Sequence, residues 1–157
     1  MSRFQPALLG GLFIGVLSSL PMVGSANVCC CLWVVVGGLL TVYLLQQNRT
    51  VPVETAEAAL QGLVAGALGA AIYVAVFSLL LGGAVAGGLA ERLRSAMDLS
   101  PQVPPEMREM VLKLFSGGGF VVLLAAITVP VYAVFSMLGA FLGLAVFRKR
   151  TPSEPPA

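Results

Sequence analysis

Three stretches of this chain carry no charge at all: residues 4–48, 58–90 and 114–147, which are 45, 33 and 34 residues long. The nine Lys/Arg and seven Asp/Glu are confined to the short windows between and beyond them. A helix at the surface of a water-soluble domain keeps one polar face, so charges recur every turn or two. Uncharged runs of this length instead suit a hydrocarbon solvent, where each charge costs several kcal/mol and helices satisfy their own backbone. The chain therefore reads as an all-α membrane protein, with the lipid bilayer as its first partner.

Composition narrows the function classes. The 157 residues are 58% apolar and only 10% charged, and the mean hydropathy is +0.96, far from the soluble range. A single transmembrane helical domain over residues 1–150 uses the whole length, leaving 151–157 as a proline-rich disordered tail. A net charge of +2 gives no reason to expect nucleic acid as a partner. There is no histidine, which removes the commonest metal ligand and the usual general base near neutral pH. The reading is accordingly not an enzyme, with no catalytic residue, metal or cofactor.

The first uncharged run is too long for one crossing: 45 residues at 1.5 Å each give about 68 Å, against a hydrocarbon core of about 30 Å. Pro21 and Gly24-Ser25-Ala26-Asn27 supply a break. They predict a helical hairpin with spans near 6–23 and 28–45. Arg3, the apolar run and the small residues after it resemble a secretory signal, but apolar sequence continues beyond them, and the first helix is read as retained. Tyr43 sits at the expected interface, with Gln46, Gln47, Asn48 and Arg49 marking the exit to water.

The linker 50–57 holds Pro52, Glu54 and Glu57, with Thr55 as the expected cap of the third helix. Span three, near 58–89, would be about 48 Å long and must tilt, bend or project. Gly82-Gly83 and Gly87-Gly88 are the expected bends. Residues 91–116 form the one substantial polar segment. Its second half places Met107, Met110, Val111, Leu114 and Phe115 at helical spacing opposite Glu106, Arg108, Glu109 and Lys113, as an interfacial amphipathic helix would. Gly117-Gly118-Gly119 then joins it to span four, near 120–147, which contains Pro130. Four transmembrane helices in two hairpins put both termini on one side. Arg148-Lys149-Arg150 directly after span four favours the cytoplasmic side of the membrane for both ends.

Small residues at four-residue spacing form the strongest pattern. Ala7, Gly11, Gly15 and Ser19 lie along span one; Ala58, Gly62, Gly66 and Ala70 along span three, with Gly82, Ala86 and Ala90 beyond; Gly139 and Gly143 mark span four. Lipid supplies little hydrophobic drive between helices, so association depends on close backbone approach, and a glycine-zipper groove permits it. Such faces serve either internal packing or a homo-oligomer or membrane partner. Cys29-Cys30-Cys31, if helical, point about 100° apart and cannot converge on one ion; they read as small apolar fillers. The hydrogen-bonding side chains inside the spans are Ser18, Ser19, Thr41, Ser78, Thr128, Ser136, Tyr73 and Tyr132, while Asn27, Gln46 and Gln47 fall at span ends. Ionisable groups, which mark ion paths and proton relays at this depth, are missing from the spans.

Asn27-Val28-Cys29-Cys30-Cys31-Leu32-Trp33, followed by Gly37-Gly38, resembles small uncharacterised bacterial membrane proteins in which a cysteine-rich second helix follows a glycine-rich first one. The resemblance covers about residues 9–45 and implies a prokaryotic plasma membrane, with no known activity. The expected function is a non-enzymatic membrane component acting through helix–helix packing with itself or a membrane partner. The alternative is a passive channel or small permease whose path would be lined by Gly, Ser and Tyr, with Tyr73, Ser78 and Tyr132 as the candidate polar path.

Overall fold

In the computed structural model of the chain the described residues, which are 4–20, 22, 23, 27, 31–47, 49, 51–98, 104–115 and 118–147, include six α-helices of defined extent and no strand. The helices are α1 (Gln5–Ser19), α2 (Leu32–Gln47), α3 (Thr55–Phe77), α4 (Gly83–Asp98), α5 (Pro105–Phe115) and α6 (Gly118–Phe147), with a π-helical turn, Ser78–Gly82, between α3 and α4. Several expectations fall on residues outside this description: Arg3, the break at Pro21 and 24–26, Cys29 and Cys30, Gly117, the cationic triplet 148–150 and the tail 151–157.

Two helical stretches are long and apolar enough to cross a membrane: Thr55–Leu80, with a mean hydropathy of 2.3, and Gly118–Phe147, with 2.4. Only 28% and 17% of their most apolar 18-residue windows are buried inside the molecule. The core helix of a soluble protein with this composition would hide most of that surface. Here Leu60, Leu63, Val122, Ile127, Val134, Leu138, Leu142 and Val146 point outward instead. α1 and α2 are equally apolar but have 15 and 16 residues, about 22–24 Å of helix against a core of about 30 Å.

Local chemistry sets the helix ends. Pro6 opens α1, where its fixed φ and missing N–H cost nothing. α2 starts at Leu32, four residues later than the apolar pattern suggests. Cys31, in the left-handed region with φ 47°, stands outside the helix rather than within it, and the Asn27 side-chain oxygen accepts from the Trp33 N–H at 3.0 Å. That bond satisfies one of the orphan donors of the first turn and fixes the start. α3 begins at Thr55, with Ala58 N–H donating to the Glu54 carbonyl at 3.0 Å, so the cap position belongs to Glu54 and Thr55 is already helical. The helical structure continues beyond residue 89. After the π turn the helix resumes and runs to Asp98, taking in half of the polar segment. Pro130 lies inside an uninterrupted α6.

The chain forms two compact units. One comprises Met1–Tyr73 with Val129–Ala157, the other Val74–Thr128. In the first, two apolar clusters fill the interior: Val42, Leu45, Val53, Ala58 and Ala140, and Ile14, Val34, Ala70 and Tyr132. In the second, Arg108 ties α5 to the end of α4, donating to the Met97 carbonyl at 2.8 Å and lying 3.5 Å from the Asp98 carboxylate. No described residue of α5 is buried.

Candidate functional site

The first unit is a ring of four helix pairs, and each seam is built on glycine. A Cβ on Gly10 would strike the Thr41 hydroxyl, and one on Gly37 would strike Ile14, which closes α1 on α2. A Cβ on Gly11 would meet Leu68 at 2.8 Å, one on Gly15 would meet Ile72 at 2.6 Å, and one on Gly69 would meet Ile14 at 2.6 Å, closing α1 on α3. Gly62 faces Ala140 at 2.7 Å, and Gly66 faces the Tyr132 carbonyl, joining α3 to α6. Gly38 faces the Ser136 carbonyl, Gly139 the Val35 carbonyl and Gly143 the Leu39 carbonyl at 3.0 Å, joining α2 to α6. Neighbouring helical positions diverge by about 100°, so the pairs Gly10-Gly11 and Gly37-Gly38 each serve two seams at once.

All six glycines expected to pack helices, Gly11, Gly15, Gly62, Gly66, Gly139 and Gly143, therefore face another helix of the same chain. Ala7, Ala58 and Ala70, on the same lines, are fully buried. The second unit differs. Nothing lies within 4 Å of a Cβ placed on Gly87 or Gly88. A shallow recess lined by Ala84, Val85, Gly88, Leu89 and Arg92 runs along that side of α4. The surroundings of Gly82 and Ala86 fall outside the description.

Polar groups concentrate at the two ends of the first unit. Near the start of α2, the Asn27 amide donates to the Ser18 hydroxyl at 2.7 Å and to the Tyr132 hydroxyl at 3.4 Å, while its oxygen holds the Trp33 N–H. The Trp33 indole donates to the Val23 carbonyl at 2.7 Å. One side chain thus links α1, α2 and α6, whereas the sequence suggested a residue satisfied by water or headgroups. Tyr73 and Tyr132 do come together, with ring centroids 5.7 Å apart, and Tyr132 is packed with Ile14, Val34 and Ala70. Ser78 belongs to the second unit, in the π turn, with its hydroxyl buried and unpartnered.

Two of the hydroxyls inside the first unit bond back to their own helix, Ser19 to the Gly15 carbonyl at 2.6 Å and Thr41 to the Gly37 carbonyl at 2.8 Å. Ser136 is fully buried and its hydroxyl has no partner. Gln61, which the sequence reading passes over, is 1% exposed in α3. A lone amide within an apolar run is the signal that would have found it.

At the opposite end, Arg49 donates two hydrogen bonds of 2.8 Å to the Glu57 carboxylate. This is a bidentate pair between the α2 exit and the first turn of α3. Beside the α2 exit lies a recess of about 310 Å³ lined by Tyr43, Gln46, Gln47 and Phe147. The Tyr43 and Phe147 rings are 5.0 Å apart, and the Gln47 amide donates to the Tyr43 hydroxyl at 2.5 Å. Gln46 is 5% exposed, and both its amide atoms are buried without a partner. Among the described residues, no three His, Cys, Asp or Glu side chains stand together as metal ligands would.

No protein-family model matches the chain, and searches of curated proteins and of solved structures return no match.

Proposed function

We propose that this chain is a multi-pass protein of a bacterial plasma membrane that crosses the bilayer four times, and that it works as a non-enzymatic component through helix–helix contact with a second copy or a membrane partner. The observation that carries this reading is the outward apolar surface of its two longest helices, combined with polar groups gathered inside and at the ends. In water that distribution would be inverted; in lipid it is the stable one. α1 and α2 are short for the core, and local thinning or tilt of the bilayer accommodates a shortfall of a few ångströms at modest cost. α5, with Met107, Met110 and Leu114 exposed on one side, lies in the interfacial plane under this reading.

The glycines of the first unit are occupied within the chain, so its own stability consumes those faces. Among the described glycines, as at the isolated Gly118, added side-chain atoms would meet nothing at Gly87 and Gly88, which form an adjacent pair on α4 still open to close approach. Contact with a partner helix is assigned there, because a surface without large side chains lets two backbones approach within van der Waals distance. The alternative, a passive path past Tyr73 and Tyr132, is less favoured, because Tyr132 is packed among apolar side chains.

The test is direct. The full chain should resist extraction by alkaline carbonate, and reporter fusions should place both termini on the cytoplasmic face. In mild detergent, native mass spectrometry should show a dimer or a co-purifying membrane protein, which Gly88→Ile removes without lowering thermal stability. A strictly monomeric wild-type chain with no companion would overturn the reading.

A further inference from the structure

The recess at the end of α2 and α6 holds an unusual combination: two aromatic rings, one exposed amide anchored to a phenol, and one amide that is buried with nothing to bond. A buried amide without partners costs about 1–3 kcal/mol per missing group, and more where no water competes. Sites of this kind are retained where an occupant supplies the missing donor and acceptor. Tyr43 and Phe147 are the sort of ring pair that seats at the headgroup level of a bilayer, and the nearby Arg49–Glu57 pair marks the aqueous end of the helices.

We propose that this recess binds the headgroup of a phospholipid that ends in hydroxyls, of the phosphatidylglycerol type. The inference rests on the membrane reading above. A hydroxyl is both donor and acceptor, so one polyol headgroup answers the Gln46 Nε2 and Oε1 together. The ammonium of an ethanolamine headgroup only donates, so it serves Oε1 and leaves Nε2 to compete for the phosphodiester oxygens that the two lipids share. Gln46 reaches the guest by turning about its terminal torsion, which is broad and soft. The rings of Tyr43 and Phe147 flank the glycerol backbone, and the Tyr43 hydroxyl, already accepting from Gln47, retains its own proton for a phosphate oxygen.

Three variants of the full chain test this in mild detergent: wild type, Gln46→Leu and Phe147→Ala. Each is titrated with phosphatidylglycerol or phosphatidylethanolamine and read by native mass spectrometry. The wild type is expected to retain phosphatidylglycerol about threefold better, as one additional hydrogen bond of membrane strength allows. Gln46→Leu should bring the two lipids to parity while keeping or raising the melting temperature, because it removes an unsatisfied polar group without removing volume. Phe147→Ala should weaken both lipids. Equal retention by the wild type, or an undiminished preference in Gln46→Leu, would overturn the proposal and leave water as the only occupant. Displacement of the lipid by soluble glycerol 3-phosphate would also overturn it, by assigning the site to a free ligand. The carbonate wash separates the two readings: a chain that resists extraction but shows no preference refutes the lipid site alone.

Discussion

The carbonyl oxygen of Ser136 stands where a Cβ on Gly38 would have to be. Backbone therefore lies against backbone at the α2–α6 seam, and no side chain can rotate away to make room. The same holds for Gly139 against the Val35 carbonyl.

Substituting either glycine with leucine should separate the two helices. The overpacking cost is about 1–3 kcal/mol where a core can adjust, and these seams belong at the upper end. Gly38→Leu should lower the melting temperature in detergent and broaden the size-exclusion profile. Gly118→Leu, which meets open space at the start of α6, should leave the melting temperature unchanged. Equal losses at the two positions would contradict the seam.

Asn27 should be the most costly polar side chain to replace in the first unit. Asn27→Leu strands the Trp33 N–H and takes a donor from the Ser18 hydroxyl, which keeps its bond to Tyr132, and a loss of about 1–3 kcal/mol is expected from unmet groups. Tyr132→Phe removes the hydroxyl that meets both the Asn27 amide at 3.4 Å and the Ser18 side chain, and should cost about 1.2 kcal/mol, twice the average of about 0.6 for one such bond in membranes. A double-mutant cycle between Asn27→Leu and Ser18→Ala measures the coupling; additivity would mean that the 2.7 Å bond contributes nothing.

The Arg49–Glu57 pair should be modest and salt-sensitive. Arg49 is partly exposed to solvent, so breaking the pair with Glu57→Gln is expected to cost about 0.5–1 kcal/mol at low ionic strength and less in 1 M salt. The exchanged pair, Arg49→Glu with Glu57→Arg, should recover part of the loss. Denaturant unfolding at two salt concentrations decides it.

Much of the architecture was legible in the uncharged runs, because solvent quality acts on every residue of a helix and leaves a signal tens of residues long. The glycine lines along α1, α3 and α6 were legible for the same reason: four-residue spacing repeats one helical face. Gly10, Gly37 and Gly38 were not used, since adjacent glycines break that spacing. Their meaning comes only when two neighbours flank one helix. The start of α2 at Leu32 was hidden because it depends on a side chain outside the helix, that of Asn27, and no periodicity reports a cap five residues upstream. Gln61 and Gln46 were passed over or set at a boundary because composition does not say which side of a helix meets protein. The recess escaped notice altogether: it joins residues of α2 to Phe147, and that pairing exists only once the ring of helices has closed.

Tyr132 stands 105 residues beyond Asn27 in the chain, and the groove of Gly38 is likewise covered by α6, about a hundred residues further on. Under the membrane reading proposed above, α1 and α2 would enter the bilayer as a hairpin whose small-residue flank stays vacant until α6 leaves the ribosome. The protein is then latched shut from its C-terminal side, and a chain interrupted before residue 129 would offer that bare flank to whatever membrane helix passes first.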